Sequence, residues 1–400
     1  MPIASVSRRE PLPVPAPRLR APYAAADLEA LIARYGSPLL VIDCDEIRSR
    51  YRRLAAALPG VELHYALKPL PDPAVIATLK AEGAAFDLAT SGEIEVVRAA
   101  GVAGERCIHT HPIKRDADIR DALRFGVRLF VADNPDELGK FVRHRKRAQL
   151  LLRVAFRAPD AVCDLSRKFG CTPEAVPELL QLAARLGVRV AGLSFHAGSQ
   201  AATPAMHASA VDACGELIRN AAASGHPALG VLDIGGGFPV DYLEPVMPIE
   251  AFCAPIVAAL KRLPAGMRVI AEPGRYIAAP AGTAVVSVVG RAIREGRWWY
   301  YLDDGIYGLF SGQLFDRVRY RVEPLAAAAG PRLPAVLAGP TCDSIDVIDE
   351  SLSLPLLEVG NLLVGHSMGA YTSSTSTDFN FVRRARVLAV NRDPAEPVAT

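Results

Sequence analysis

Between residues 61 and 272, short apolar, β-branched runs alternate eight times with longer amphipathic segments, and nothing else in the chain constrains its fold so strongly. The strand-like runs fall at 61–67, 84–88, 106–110, 127–132, 149–155, 188–195, 229–234 and 267–271. Helical periodicity occupies the intervals, as at 73–82, 92–100, 135–147 and 173–186. Eight strand–helix units are the number that closes a parallel (β/α)8 barrel of the TIM type. A doubly wound open sheet would use the same units, because strand order is not written in one sequence.

After residue 275 the texture changes. Runs at 283–289, 298–302, 317–322, 335–338, 362–364 and 386–390 read as strands broken by Gly, Pro and Asp turns, with few helical patterns between them. They predict a separate C-terminal β domain, a sandwich or small barrel, completed by an N-terminal strand near 38–43. The division expected is therefore a flexible, Pro- and Arg-rich arm at 1–22, a segment at 23–44 that joins the β domain, a barrel at 45–277 and the β domain at 278–400. The alanine run at 326–329 reads as a loop tip.

Composition narrows the function. Half of the 400 residues are hydrophobic, 22% are charged and the formal net charge is +2, so no nucleic-acid partner is expected. No apolar run has the length of a membrane span. Seven scattered cysteines, odd in number and without metal-ligand spacing, predict reduced thiols, no metal site and a cytoplasmic setting.

In a (β/α)8 barrel the chemistry gathers at the C-terminal ends of the strands. Lys68, Asp87, Arg153, His196, Gly235 and Glu272 all fall at or near such ends. An amine at the mouth of a buried strand is expected to be desolvated, with a lowered pKa, and so able to form a Schiff base with a carbonyl. Gly235, Gly236 and Gly237 follow the seventh run and have the character of an anion-binding nest. Glu272-Pro273-Gly274-Arg275 follows the eighth and adds a flexible amide and a guanidinium, and a phosphate site between the last two loops recurs in such barrels. Glu272 itself is suited to keep a pyridine nitrogen protonated. His196, in Ser194-Phe195-His196-Ala197-Gly198-Ser199, is suited to stack on a ring. An amine, a phosphate nest and a carboxylate for a pyridinium together describe a site for pyridoxal 5'-phosphate (PLP). In the β domain, Cys342 beside Asp343 offers a thiol proton donor and a carboxylate for a cationic substrate tail, and Tyr371 offers a phenol.

Six motifs, Tyr65-Ala66-Leu67-Lys68, Ser194 to Ser199, Asp233-Ile234-Gly235-Gly236-Gly237-Phe238-Pro239, Glu272-Pro273-Gly274-Arg275-Tyr276, Gly339-Pro340-Thr341-Cys342-Asp343 and Met368-Gly369-Ala370-Tyr371, resemble the PLP-dependent ornithine/diaminopimelate/arginine decarboxylase family. The resemblance runs from about residue 38 to 381 and is nearest the ornithine branch, as is the stretch 161–170. It implies an alanine-racemase-like barrel plus β domain, with Lys68 holding PLP covalently and His196 stacking on its ring. Ser199, Gly235–Gly237, Gly274, Arg275 and Tyr371 would bind phosphate, Glu272 would meet the pyridine nitrogen, and Asp87 and Arg153 would organise the cofactor's surroundings. A head-to-tail homodimer with shared active sites is implied, so that Cys342 and Asp343 act on the other subunit's cofactor and Lys168 pairs with Asp346 between subunits. Asp316, Asp343 and Phe379 would contact the substrate.

Asp343, where the diaminopimelate branch typically has Glu, favours a substrate ending in an ammonium group. L-Ornithine, giving putrescine and CO2, is the first expectation. Lysine, or a mixed lysine and ornithine activity, is the second, since one methylene separates the two; diaminopimelate remains a third. An alanine-racemase-type isomerase and a non-catalytic regulatory protein are the rivals of other kinds. The chain departs from its relatives at Pro69-Leu70-Pro71, at His109-Thr110-His111-Pro112 and at Asp378-Phe379-Asn380-Phe381, where a glycine after the Asn is usual.

Overall fold

The structure is a computed structural model that describes residues 19, 23–156, 167–326 and 330–393. The predicted arm at 1–22, the first six residues of the 161–170 stretch and most of the alanine run lie outside the described residues, apart from Leu19.

Eight parallel strands close into a barrel in chain order. Counting the N-terminal strand β1 (Leu39–Asp43) first, they are β2 (Val61–Ala66), β3 (Ala85–Leu88), β4 (Cys107–His109), β5 (Leu129–Ala132), β6 (Gln149–Arg153), β7 (Val190–Ser194), β8 (Val231–Asp233) and β9 (Arg268–Ala271). β2 pairs with β9, Val61 opposite Val269, which shuts the ring and excludes the doubly wound sheet. Outside lie the helices α1 (Ala25–Tyr35), α2 (Cys44–Ala57), α3 (Pro73–Ala81), α4 (Ser91–Ala99), α5 (Asp116–Phe125), α6 (Pro135–Lys140), α7 (Val176–Leu186), α8 (Ala205–Ala223) and α9 (Ile249–Leu260). Several start on a side-chain cap. Asp72 accepts from Ala74 N at 2.8 Å ahead of Pro73, and Asn134 accepts from Glu137 N at 3.0 Å ahead of Pro135. Each such cap is worth about 0.5–2 kcal/mol and fixes where the loop ends. The helix expected over 135–147 ends at Lys140 and continues as a 3-10 turn at Val142–His144.

Strand alternation sorts the side chains into two cores. Leu63, Tyr65, Phe86, Leu88, Phe130 and Leu150 face outward into the large core beneath the helices. Ile108, Val131, Leu151 and Ile270 face inward and plug the barrel's middle. Two residues further along each strand, the same inward face carries Thr110, Asp133, Arg153 and Glu272. The polar floor of the barrel mouth thus follows from the period of two.

The remaining strands are β10 (Gly282–Arg294), β11 (Arg297–Leu302), β12 (Val322–Pro324), β13 (Leu333–Ala338), β14 (Val347–Leu354), β15 (Leu362–Gly365) and β16 (Arg386–Val390). They form a mixed sheet in the order β12-β15-β10-β11-β13-β14. The N-terminal strand completes it as expected, β1 lying antiparallel to β10 and parallel to β16. Two expectations fail. Residues 317–321 form no strand, because Arg317 takes a positive φ of 54° and pairing begins only at Val322. β14 was not anticipated, since its charged centre, Asp349-Glu350, hides an edge strand that pairs with β13.

Candidate active site

Lys68 leaves β2 on its inward face and opens into the mouth of the barrel, ringed by protein. The turn that carries it is tied to both domains: Ala66 N donates to Pro273 O at 3.1 Å, and Tyr371 N donates to Pro69 O at 3.0 Å. Gly274 lies so close that a Cβ there would stand 2.7 Å from Pro69. The expected fall in the Lys68 pKa does not occur. Burial does pull it down, but the Tyr371 phenol and the Asp87 and Glu272 carboxylates outweigh burial, and the amine is raised above its ordinary value. The amine is held charged by its neighbours rather than stripped of its proton.

Asp87 is buried and accepts from Thr110 Oγ1 at 2.5 Å. Burial, then the negative charge of Glu272, push its carboxyl well above the usual range. Asp233 behaves alike and for the same two causes, with Oδ1 accepting from Gly235 N at 2.9 Å. Three carboxyl groups, Asp87, Asp233 and Glu272, therefore crowd one desolvated floor. Arg153 joins them, its guanidinium pulled down by burial and supported by Glu272 and Asp133.

His196 follows β7, and its Nδ1 accepts from Gly198 N at 3.1 Å. Burial, then the charges of Lys68 and Arg153, hold it far below the usual imidazole range, so the ring is neutral. The glycine loop passes against it. A Cβ on Gly236 would stand 2.7 Å from Glu272 O and 3.3 Å from His196 Nε2, and Gly235 and Gly237 adopt φ of 66° and 99°. Gly236→Ala is expected to destabilise the protein by about 1–3 kcal/mol and to weaken cofactor binding, read as thermal melting with and without PLP; an unchanged difference between the two melts contradicts this.

Arg275 is 6% exposed. It donates to Tyr242 Oη at 2.8 Å and Ser199 Oγ at 3.0 Å, pairs with Asp316, and lies 4.9 Å over the Tyr371 ring. Burial opposes its charge, yet Tyr242, Asp316 and Tyr371 keep it firmly protonated. Its buried Nε has no partner among the described residues. Neither have the amides of Gly236 and Gly237. Two free backbone donors, a fixed guanidinium with a free N–H, the Ser199 hydroxyl and the Tyr371 phenol fit a phosphate. Lys68 and Glu272, set in the same mouth, fit the aldehyde and nitrogen ends of PLP.

A second cluster lies in the β domain. Cys342 is exposed, and its Sγ accepts from Asn380 Nδ2 at 3.1 Å. Tyr307 donates to Asp343 Oδ2 at 2.6 Å and stacks on Phe379 at 4.4 Å. The phenol holds the Asp343 carboxyl below its usual range. Neither Cys342 nor Asp343 is among the groups that bear most on Lys68, which are Tyr371, Asp87, Glu272 and Arg153. Asp346 is buried in its own chain, Oδ1 accepting from Ile306 N at 2.9 Å and Oδ2 from Thr341 Oγ1 at 2.7 Å. Lys168, the other member of the pair expected between subunits, lies 4.9 Å over Phe169 in its own chain.

Sequence reasoning gave no role to Asp233, Thr110, Tyr242 or Tyr307. The first two were within reach, because they continue inward-facing alternations; the others depend on tertiary contacts. Among the described residues no group of His, Cys, Asp and Glu is placed to hold a metal, and no helix is long and apolar enough to cross a membrane.

A closed barrel with a lysine, a glycine nest and a carboxylate at one mouth, joined to a β domain, defines a PLP-dependent enzyme. The pyridoxal-binding-domain profile of the pyridoxal-dependent decarboxylases matches residues 44–279. The chain is 34% identical over 355 residues to a lysine/ornithine decarboxylase of Selenomonas ruminantium, covering 88% of this chain and 90% of that protein. It is likewise 34% identical over 373 residues to the ornithine decarboxylase of Mus musculus, covering 88% and 80%. A crystal structure of the lysine/ornithine decarboxylase of Vibrio vulnificus complexed with putrescine superposes with a TM-score of 0.88 at 52% identity, covering 93% of this chain and 99% of that one. The chain belongs to the pyridoxal-dependent decarboxylase family.

Proposed function

We propose that this protein decarboxylates L-ornithine to putrescine, with L-lysine as the second substrate, in a cytoplasmic homodimer. The observation that carries the reading is the Asp343 carboxylate beside Cys342, exposed on a β domain whose barrel mouth is built for PLP. Relatives that act on ornithine and lysine support it. The division into a barrel at 45–277 and a β domain at 278–400 that takes in 23–44 separates the two halves of the site.

PLP, when bound, supplies an electron sink for the pair left behind by the departing carboxylate. Lys68 Nζ would hold the cofactor by its aldehyde carbon and, on returning to it, would release the product amine. Glu272 would keep a proton on the pyridine nitrogen, His196 would cover one ring face, and Asp87 and Arg153 would set the charge around them. Gly235–Gly237, Gly274, Ser199, Arg275 and Tyr371 bind the phosphate. Asp343 and Asp316 hold the distal ammonium, with Phe379 as an apolar wall. Cys342 Sγ then delivers a proton to Cα.

The homodimer rests on what surrounds Cys342. Ile345, Phe379 and Phe381 are exposed there, Phe381 at 96%, an apolar surface suited to a cover. Lys68→Ala and Cys342→Ala are each expected to be inactive alone. When mixed and re-paired, half the dimers are hybrids with one intact site, and about a quarter of the wild-type activity returns. No recovery would mean that each site is built from one chain.

The direct test of function is amine analysis after incubation with ornithine, lysine, arginine and diaminopimelate. Putrescine is expected first and cadaverine second. Product from arginine or diaminopimelate alone overturns the proposal.

A further inference from the structure

We propose that His207 is a positioning residue that aims the glycine loop at the cofactor phosphate by holding the peptide between Gly236 and Gly237 in one orientation. The inference rests on the reading of that loop as the phosphate site. A trans peptide points its carbonyl and the following N–H to opposite sides, so a carbonyl that is held fixes the direction of the next amide. Three consecutive carbonyls are held. Gly235 O accepts from Glu272 N at 2.8 Å, Gly236 O lies 2.9 Å from His207 Nε2, and Gly237 O accepts from Ala201 N at 3.0 Å. The amides that follow them, on Gly236, Gly237 and Phe238, have no acceptor among the described residues.

Two of the three donors are backbone groups, fixed by the chain's path. The middle one is a side chain, and the peptide it holds lies between two glycines, whose backbones accept φ of either sign at little cost. Among the described residues no other group bonds that carbonyl. His207 therefore decides whether the Gly237 amide faces the cleft or turns away from it.

The setting of the ring agrees. His207 lies on α8, fully buried, 5.4 Å from the Phe238 ring at 24°, with edge contacts to Phe195 and Phe252. Its Nδ1 has no partner among the described residues, and Nε2, which faces a carbonyl, carries the proton. Burial lowers its pKa to about 4, which keeps the ring a neutral donor near neutral pH. A buried nitrogen without a donor is unfavourable, and a pocket of aromatic rings would suit phenylalanine as well. What the imidazole adds is the hydrogen bond to Gly236.

The test is an absorbance titration of the apoprotein with PLP and with pyridoxal, which lacks the phosphate. His207→Phe is expected to weaken PLP binding by about tenfold to a hundredfold, the loss of one hydrogen bond to a charged group, and to leave pyridoxal within about twofold. His207→Gln, which keeps a donor near the Nε2 position, is expected to restore the preference, and His207→Met, matched to Gln in length but without a donor, to lose it. The Gln and Met pair repeats the test should Phe prove too bulky to fold. Equal preference for PLP over pyridoxal in wild type, H207F and H207M overturns the inference, as does a Gln variant as impaired as Met. If wild type itself binds pyridoxal as tightly as PLP, the phosphate reading of the loop fails instead.

Discussion

Lys68→Ala, reconstituted with PLP, is expected to show no protein-bound visible band and to lose at least about 10³-fold in kcat. No neighbour can replace the amine. The groups nearest it in effect are Tyr371, Asp87, Glu272 and Arg153, and none is a nucleophile toward an aldehyde at neutral pH. The raised pKa sharpens the expectation. The surroundings of Lys68 favour a cation at that point, and removing it leaves Arg153 as the remaining positive group beside Asp87 and Glu272. The variant should therefore also melt differently from wild type in the absence of PLP. A variant that keeps full turnover, or keeps the band, sinks the assignment of Lys68.

Glu272→Ala is expected to lower kcat by about 10²–10³-fold while the apparent affinity for PLP falls much less. The reasoning follows the carboxyl cluster. Burial and the charge of Glu272 push both Asp87 and Asp233 toward their protonated forms, so the three groups do not contribute equally to the field in the mouth. In the proposed arrangement, removing Glu272 would relieve Asp87 and Asp233 and move negative charge away from the pyridine nitrogen, where it would assist the reaction. The measurement is steady-state kinetics beside a PLP titration. A tenfold loss of cofactor affinity with kcat unchanged would make Glu272 a binding group only.

The barrel was legible because every strand is apolar, short and punctuated, and because helix periodicity separates one from the next. The site was legible because strand ends in such a barrel converge. Lys68, Asp87, Arg153 and Glu272 needed only the rule that inward positions repeat every second residue. What failed did so for identifiable reasons. Arg317 to Val322 alternates perfectly, and Val318, Tyr320 and Val322 are indeed buried; alternation fixes which side chains turn inward but not whether a partner strand lies alongside. The direction of the Lys68 shift could not be read either, since it depends on Tyr371 from the β domain and then on carboxylates from β3 and from the end of β9. The intrachain setting of Asp346 was not readable either, since only the fold brings Gly305 and Gly339 against it.

The pairing of β1 with β16 has a consequence for how the protein is made. Leu39 opposes Arg386, so the second layer of the molecule is closed by its earliest strand and its latest. During synthesis the first strand must wait, unpaired on that side, while the entire barrel emerges and settles. A loop that long is slow to close. Both sheet partners of β1 lie beyond the barrel in the chain, so the sheet can close only after every barrel strand has been synthesised.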